Sequence, residues 1–209
     1  MSSRTILFAG LAVLLLAGVG AYYFFMRPDP LVSCADVQPT IVAFGDSLVA
    51  GYGVQTEDNF VSVTARTIGV PIQNLGVSGD TTAQGLVRVQ KVLNAKPDIV
   101  LVVLGGNDAL QRIPVTDTEQ NLDAILKELH DADIHIVLAG VPGNLFNDPY
   151  KSMFERLAKK YDATLVPNIL AGIVGSKELT SDQLHPNAAG SLKIAARLAP
   201  VLETVCAKK

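Results

Sequence analysis

The chain has 209 residues, of which 49% are hydrophobic and 18% charged, with a formal net charge of −3. That hydrophobic share excludes a disordered chain, and the slight acidity offers no basic patch for nucleic acid. Two cysteines cannot build a disulfide-rich scaffold, and no Cys/His cluster has zinc spacing, so no metal and no cofactor is implied.

The first 26 residues differ from the rest. Of 17 Lys/Arg and 20 Asp/Glu, only Arg4 falls among them. Residues 5–26 carry no charge and would span about 33 Å as a helix, enough for a hydrocarbon core of about 30 Å. Tyr22 and Tyr23 at the end of this run suit a membrane–water interface. We therefore expect a transmembrane anchor over residues 1–26. The alternative is a signal peptide cleaved on secretion, whose apolar stretch is usually shorter. Residues 27–39, with Pro28, Pro30 and Pro39, read as a linker, and residues 40–209 as one domain. Cys34 precedes the first strand and Cys206 lies close to the C-terminus. A bond between them would join the two ends of the domain and would need an oxidising compartment; two unrelated thiols are the alternative. The expected location is a single-pass inner-membrane protein with its domain on the periplasmic side.

Within the domain, apolar runs alternate with helical patterns. Residues 40–44, 71–75, 98–104, 134–139 and 163–166 read as strands. Helices are expected over 59–68, 81–93 with Asp80 as N-cap, around 122–129, over 149–161, and over 187–199 with a kink or an end at Pro200. Leu122, Ile125, Leu126 and Leu129 recur on one helical face. Continuous apolar strands alternating with helices imply a parallel sheet covered on both faces. In such a sheet the site lies beyond the carboxyl ends of the strands.

Reactive residues cluster where that rule places them. Gly45-Asp46-Ser47-Leu48 follows the first strand, Asn74 to Asp80 follows the second, and Gly105-Gly106-Asn107-Asp108 follows the third. Ser47 would stand at the strand end as a nucleophile, although Asp and Ser are also ordinary helix caps. The glycines after the second strand allow backbone N–H groups to approach a ligand, and the Asn107 amide can face the cleft; ordinary turns are the alternative. Of three histidines, His130 and His135 lie in a helix and a strand and read as structural. His185 lies on a polar loop before the last helix, three residues after Asp182, which can orient its ring and leave the other nitrogen free as a base. Loops 109–116 and 142–149 are expected to shape an acyl site through Leu110, Ile113, Leu145 and Phe146. No Gly-x-Ser-x-Gly elbow occurs, and neither a P-loop nor a dinucleotide fingerprint follows a strand.

Taken together, Gly45-Asp46-Ser47-Leu48, Ser78-Gly79-Asp80, Gly105-Gly106-Asn107-Asp108 and Asp182-x-x-His185-Pro186-Asn187 resemble the four sequence blocks of the SGNH/GDSL hydrolases. The likeness is closest to the bacterial thioesterase I/lysophospholipase/arylesterase group and covers residues 40–203. It implies a three-layer α/β/α, flavodoxin-like sandwich. It also implies a serine esterase that works through an acyl-serine intermediate on a small acyl ester or thioester. By position, Ser47 matches the nucleophile, His185 the base and Asp182 its partner. Ser47, Gly79 and Asn107 match the oxyanion hole. A carbohydrate O-acetyl esterase is the alternative within enzymes, and a non-catalytic ligand-binding module on the same fold the alternative outside them.

Overall fold

The computed structural model describes residues 33–143 and 148–208. The five apolar runs form β1 (Ile41–Gly45), β2 (Ile72–Gly76), β3 (Ile99–Val103), β4 (His135–Ala139) and β5 (Thr164–Val166). All pair in parallel, in the order β2-β1-β3-β4-β5. β1 and β3 are buried at every position, which is why both read as unbroken apolar runs. β2 lies at an edge, and its Gln73 and Asn74 are exposed.

Among the described residues, eight α-helices connect and flank the strands: α1 (Cys34–Val37), α2 (Ser47–Ala50), α3 (Phe60–Ile68), α4 (Thr82–Asn94), α5 (Gly106–Leu110), α6 (Val115–Asp131), α7 (Pro149–Lys160) and α8 (Ala188–Cys206). The β1-to-β2 crossover runs in one direction along the sheet and the later crossovers in the other. Right-handed connections therefore put α3 on one face and α4, α6 and α7 on the other. α8 packs against α3, while α6 packs against both α4 and α7, which completes the three layers. Leu122, Ile125, Leu126 and Leu129 of α6 are fully buried, as their spacing requires. Each such side chain contributes about 1.5–3 kcal/mol relative to exposure. The strand order reverses between β1 and β3, and a crevice opens there beyond the carboxyl ends.

Four expectations about the secondary-structure elements and the N-terminus meet a different outcome or fall outside the described residues. The anchor of residues 1–26 lies outside them; among the described residues, no helix is long and apolar enough to cross a membrane. The linker reading fails over its last part, where Cys34 is buried in α1, bonded to Cys206, and donates its N–H to Glu203 Oε2 at 2.8 Å. The N-cap of α4 is Thr81, in a capping box with Gln84, because Asp80 is drawn instead to Arg88. Helix α8 continues past Pro200 to Cys206, so of the two alternatives expected there the end does not occur. Leu198, Leu202 and Val205 are buried on both sides of the proline, and the disulfide holds the last turn, so packing outweighs one missing backbone bond. The 19 residues of α8 span about 28 Å, with the disulfide at one end and the His185 loop at the other.

Candidate active site

The glycines at the ends of β1 and β2 set the position of Ser47. A Cβ on Gly45 would collide with Val103 O and the Val49 side chain, and one on Gly76 would collide with Ala50 N. Only glycines let α2 sit directly on the sheet edge. Asp46 caps this helix by accepting the Leu48 N–H at 3.0 Å. Asp46 is therefore the cap, and Ser47 is the first helical residue, its hydroxyl directed away from the capping bond.

Ser47 Oγ lies 2.9 Å from His185 Nε2, and His185 Nδ1 lies 2.7 Å from Asp182 Oδ2. A carboxylate only accepts, so Nδ1 carries the ring proton and Nε2 is left to accept from the serine hydroxyl. Asp182 Oδ1 accepts the backbone N–H groups of His185 and Leu184, each at 2.7 Å. These two backbone bonds, then the ring contact, hold the Asp182 carboxyl down to about 2. The loop closes on itself through the Thr180–Pro186 bridge and the Ser181 N–H to His185 O bond at 2.9 Å. Asn187 caps α8 by accepting the Gly190 N–H, which joins the loop to that helix. The Tyr52 ring packs on the imidazole at a centroid distance of 4.6 Å.

Another part of the cleft wall carries Gly79 and Asn107. Gly79 has φ +87° and lines the cleft. Asn107, in the first turn of α5, donates Nδ2 to Asp80 O at 2.9 Å and lies 3.4 Å from Asp46 Oδ2. Asp46 is 2% exposed, and burial pushes its carboxyl up to about 6 against the pull of the Leu48 N–H and of His185. Asp108 is fully buried behind Asn107 and accepts from the Thr82 N–H at 2.8 Å and from the Thr82 hydroxyl. This couples α5 to the start of α4. Ser47, Gly79 and Asn107 all line the same cleft.

These groups border a cleft of about 390 Å³. Leu110 and Pro142 line it, from the two loop regions expected to do so, whereas Ile113 does not. Leu145 and Phe146 lie outside the described residues. Leu170 and Val174, from the segment between β5 and α8, form a wall that the sequence reading did not include. His130 packs on the Tyr161 ring and His135 Nε2 lies 3.0 Å from Thr164 Oγ1, both away from the cleft. Sequence reasoning also missed Arg88, whose only signal was a single charge on the inner side of an amphipathic helix.

Residues 43–192 match the GDSL-like lipase/acylhydrolase family. The chain is 31% identical to thioesterase 1/protease 1/lysophospholipase L1 of Escherichia coli (strain K12), over 71% of this chain and 76% of that protein. It is 28% identical to an arylesterase of Vibrio mimicus, over 75% and 84% of the two chains. Among solved structures, the psychrotrophic esterase EstA from Pseudoalteromonas sp. superposes with a TM-score of 0.71 at 28% identity, covering 80% of this chain and 98% of that one. The SGNH-hydrolase esterase AlinE4 superposes with a TM-score of 0.63 at 36% identity, covering 80% and 96%. The chain belongs to the GDSL-like lipase/acylhydrolase family and is a carboxylic ester hydrolase.

Proposed function

We propose that the protein is a serine esterase that hydrolyses acyl esters or thioesters through an acyl-serine intermediate. The observation that carries this reading is the Ser47 Oγ–His185 Nε2 contact of 2.9 Å, backed by Asp182 on Nδ1, at the side of an apolar cleft. Ser47 Oγ attacks the carbonyl carbon while its proton passes to His185 Nε2, and the carbonyl electron pair moves onto the oxygen. The Ser47 and Gly79 N–H groups and the Asn107 amide bind that oxyanion. The oxyanion collapses and expels the alcohol or thiol, which takes the proton from Nε2 and leaves acyl-Ser47. Water then attacks with His185 again as base, and a second collapse releases the carboxylic acid and restores the Ser47 hydroxyl.

The walls formed by Leu110, Leu170, Val174 and Leu184 suit a hydrocarbon acyl chain better than a sugar, which favours an acyl esterase over a carbohydrate O-acetyl esterase. The Cys34–Cys206 bond supports an oxidising compartment. With residues 5–26 as anchor, we place the domain on the extracytoplasmic side of the inner membrane.

The test is fluorophosphonate labelling with peptide mapping, together with turnover of p-nitrophenyl esters of graded chain length by the wild type and Ser47→Ala. Labelling at Ser47 and loss of turnover in Ser47→Ala are expected. Turnover by Ser47→Ala near the wild-type rate would overturn the proposal.

A further inference from the structure

We propose that Arg88 is a positioning residue for the oxyanion side of the cleft, holding Gly79 and Asn107 in register with Ser47. The proposal rests on the reading of Ser47, Gly79 and Asn107 given above and adds a residue to it. Arg88 points from α4 toward the carboxyl edge of the sheet, and its side chain is only 12% exposed. Its guanidinium makes three bonds to two segments, the end of β1 and the stretch from β2 to α4. Nη2 donates to Gly45 O at 2.6 Å, at the end of β1 and two residues before Ser47. Nη1 donates to Leu75 O at 2.7 Å, near the end of β2 and just before the loop that carries Gly79. Nε donates to the Asp80 carboxylate, on the residue after Gly79. The guanidinium carbon lies over the Phe44 ring, 4.4 Å from its centroid, which packs the group against the end of β1.

The chain of contacts continues into the site. Asp80 O accepts the Asn107 amide at 2.9 Å, so the residue that binds Arg88 through its side chain also aims Asn107 through its backbone. The Val77 N–H donates to Gly45 O at 3.0 Å, so the carbonyl that Arg88 holds also ties the second loop to the first strand. One guanidinium thus joins the segments of Ser47 and Gly79 directly, and that of Asn107 through the Asp80 carbonyl. Its charge also balances the Asp80 carboxylate, which is 90% shielded from solvent and would otherwise oppose negative charge forming nearby. A single ammonium nitrogen does not reproduce this, because the three acceptors are met by three different nitrogens of the guanidinium, Nε, Nη1 and Nη2.

The experiment measures kcat and KM per active site, titrated with a fluorophosphonate, for the wild type, Arg88→Lys, Arg88→Ala, Asp80→Asn and the control Val87→Ala on the exposed side of the same helix. Each is paired with the inhibition constant of an acyl trifluoromethyl ketone, whose serine adduct carries the oxyanion. For Arg88→Lys, kcat per titrated site is expected to fall by about 10²-fold, the scale set by misplacing a reacting group by about an ångström, with KM within about twofold. Ketone affinity should weaken in parallel with kcat, and methylguanidinium should restore part of the activity of Arg88→Ala. Should the Arg88 variants fail to fold, Asp80→Asn carries the test, with kcat and ketone affinity expected to fall together. Unchanged kcat per site and unchanged ketone affinity in the folded variants would overturn the role of Arg88 while leaving Ser47 as the nucleophile. Absence of fluorophosphonate labelling in the wild type would instead remove the reading on which it rests.

Discussion

Asp46 and Asp182 are the same residue type on opposite sides of one serine–histidine contact, and their environments push them in opposite directions. Asp46 sits 2% exposed at the sheet edge, and burial pushes its carboxyl up to about 6. Asp182 lies on the surface loop, its side chain 44% exposed, and two backbone N–H groups with the imidazole hold it down to about 2. The nucleophile side is thus built into the core, where glycine packing and strand register set positions. The base side is a loop that orders itself through its own hydrogen bonds. The carboxylate beside His185 lies in water among donors, while the one that caps α2 and meets the Asn107 amide is buried.

The largest effect should come from the loop half. Asp182→Asn should lower kcat by about 10⁴-fold, because an amide can stabilise the wrong imidazole tautomer and cannot match the developing positive charge. Steady-state turnover of a p-nitrophenyl ester measures this, and a loss below tenfold would mean that backbone contacts alone orient His185. On the core half, Asn107→Ala should lower kcat by about 10²–10³-fold in folded protein. A loss under threefold in the same assay would remove Asn107 from the oxyanion hole.

The disulfide sharpens the comparison from outside the site. Replacing Cys34 and Cys206 by serine should cost about 2–4 kcal/mol in chemical denaturation, since the bond closes a separation of 172 residues. Turnover per folded molecule should be unchanged, because the bond and the His185 loop lie at opposite ends of α8. A fall in kcat alongside the stability loss would show coupling along that helix.

The two aspartates should also separate in the pH dependence of stability. For Asp46 the folded value is raised, so the folded state binds more protons between about 4 and 6, and stability falls as pH rises through that window. For Asp182 the folded value is depressed, so its stabilisation is present above about 4 and is lost as pH falls toward 2. Asp46→Asn should therefore raise Tm at pH 7.5 relative to pH 4.5, compared with the wild type. Asp182→Asn should leave that difference nearly unchanged and flatten the loss below pH 4. Calorimetry across pH 2.5–7.5 measures both, and an unaltered profile in Asp46→Asn would mean that its carboxyl titrates at an ordinary value.

The proximity of Ser47, Gly79, Asn107 and His185 in one cleft, with Asp182 on the His185 ring, was anticipated in the linear chain, because each stands in a short polar block directly after a strand or before a helix. Strand order follows from the same pattern only in part: unbroken apolar runs require a buried parallel sheet, but the reversal between β1 and β3 depends on which surfaces pack. Where expectation and structure part, the cause is a contact distant in sequence. Asp80 has the composition of a helix cap, yet Arg88 takes its carboxylate and Thr81 caps the helix. Pro200 is a local signal to stop, yet the buried face of α8 and its disulfide carry the helix past it. Leu170 and Val174 join the cleft wall only because the segment after β5 turns back over the sheet edge. Local propensity and residue chemistry act over a few positions and can be read in order along the chain. The hub at Arg88, the opposite shifts of Asp46 and Asp182, and the shape of the cleft depend on burial and distance, which exist only once the chain has folded.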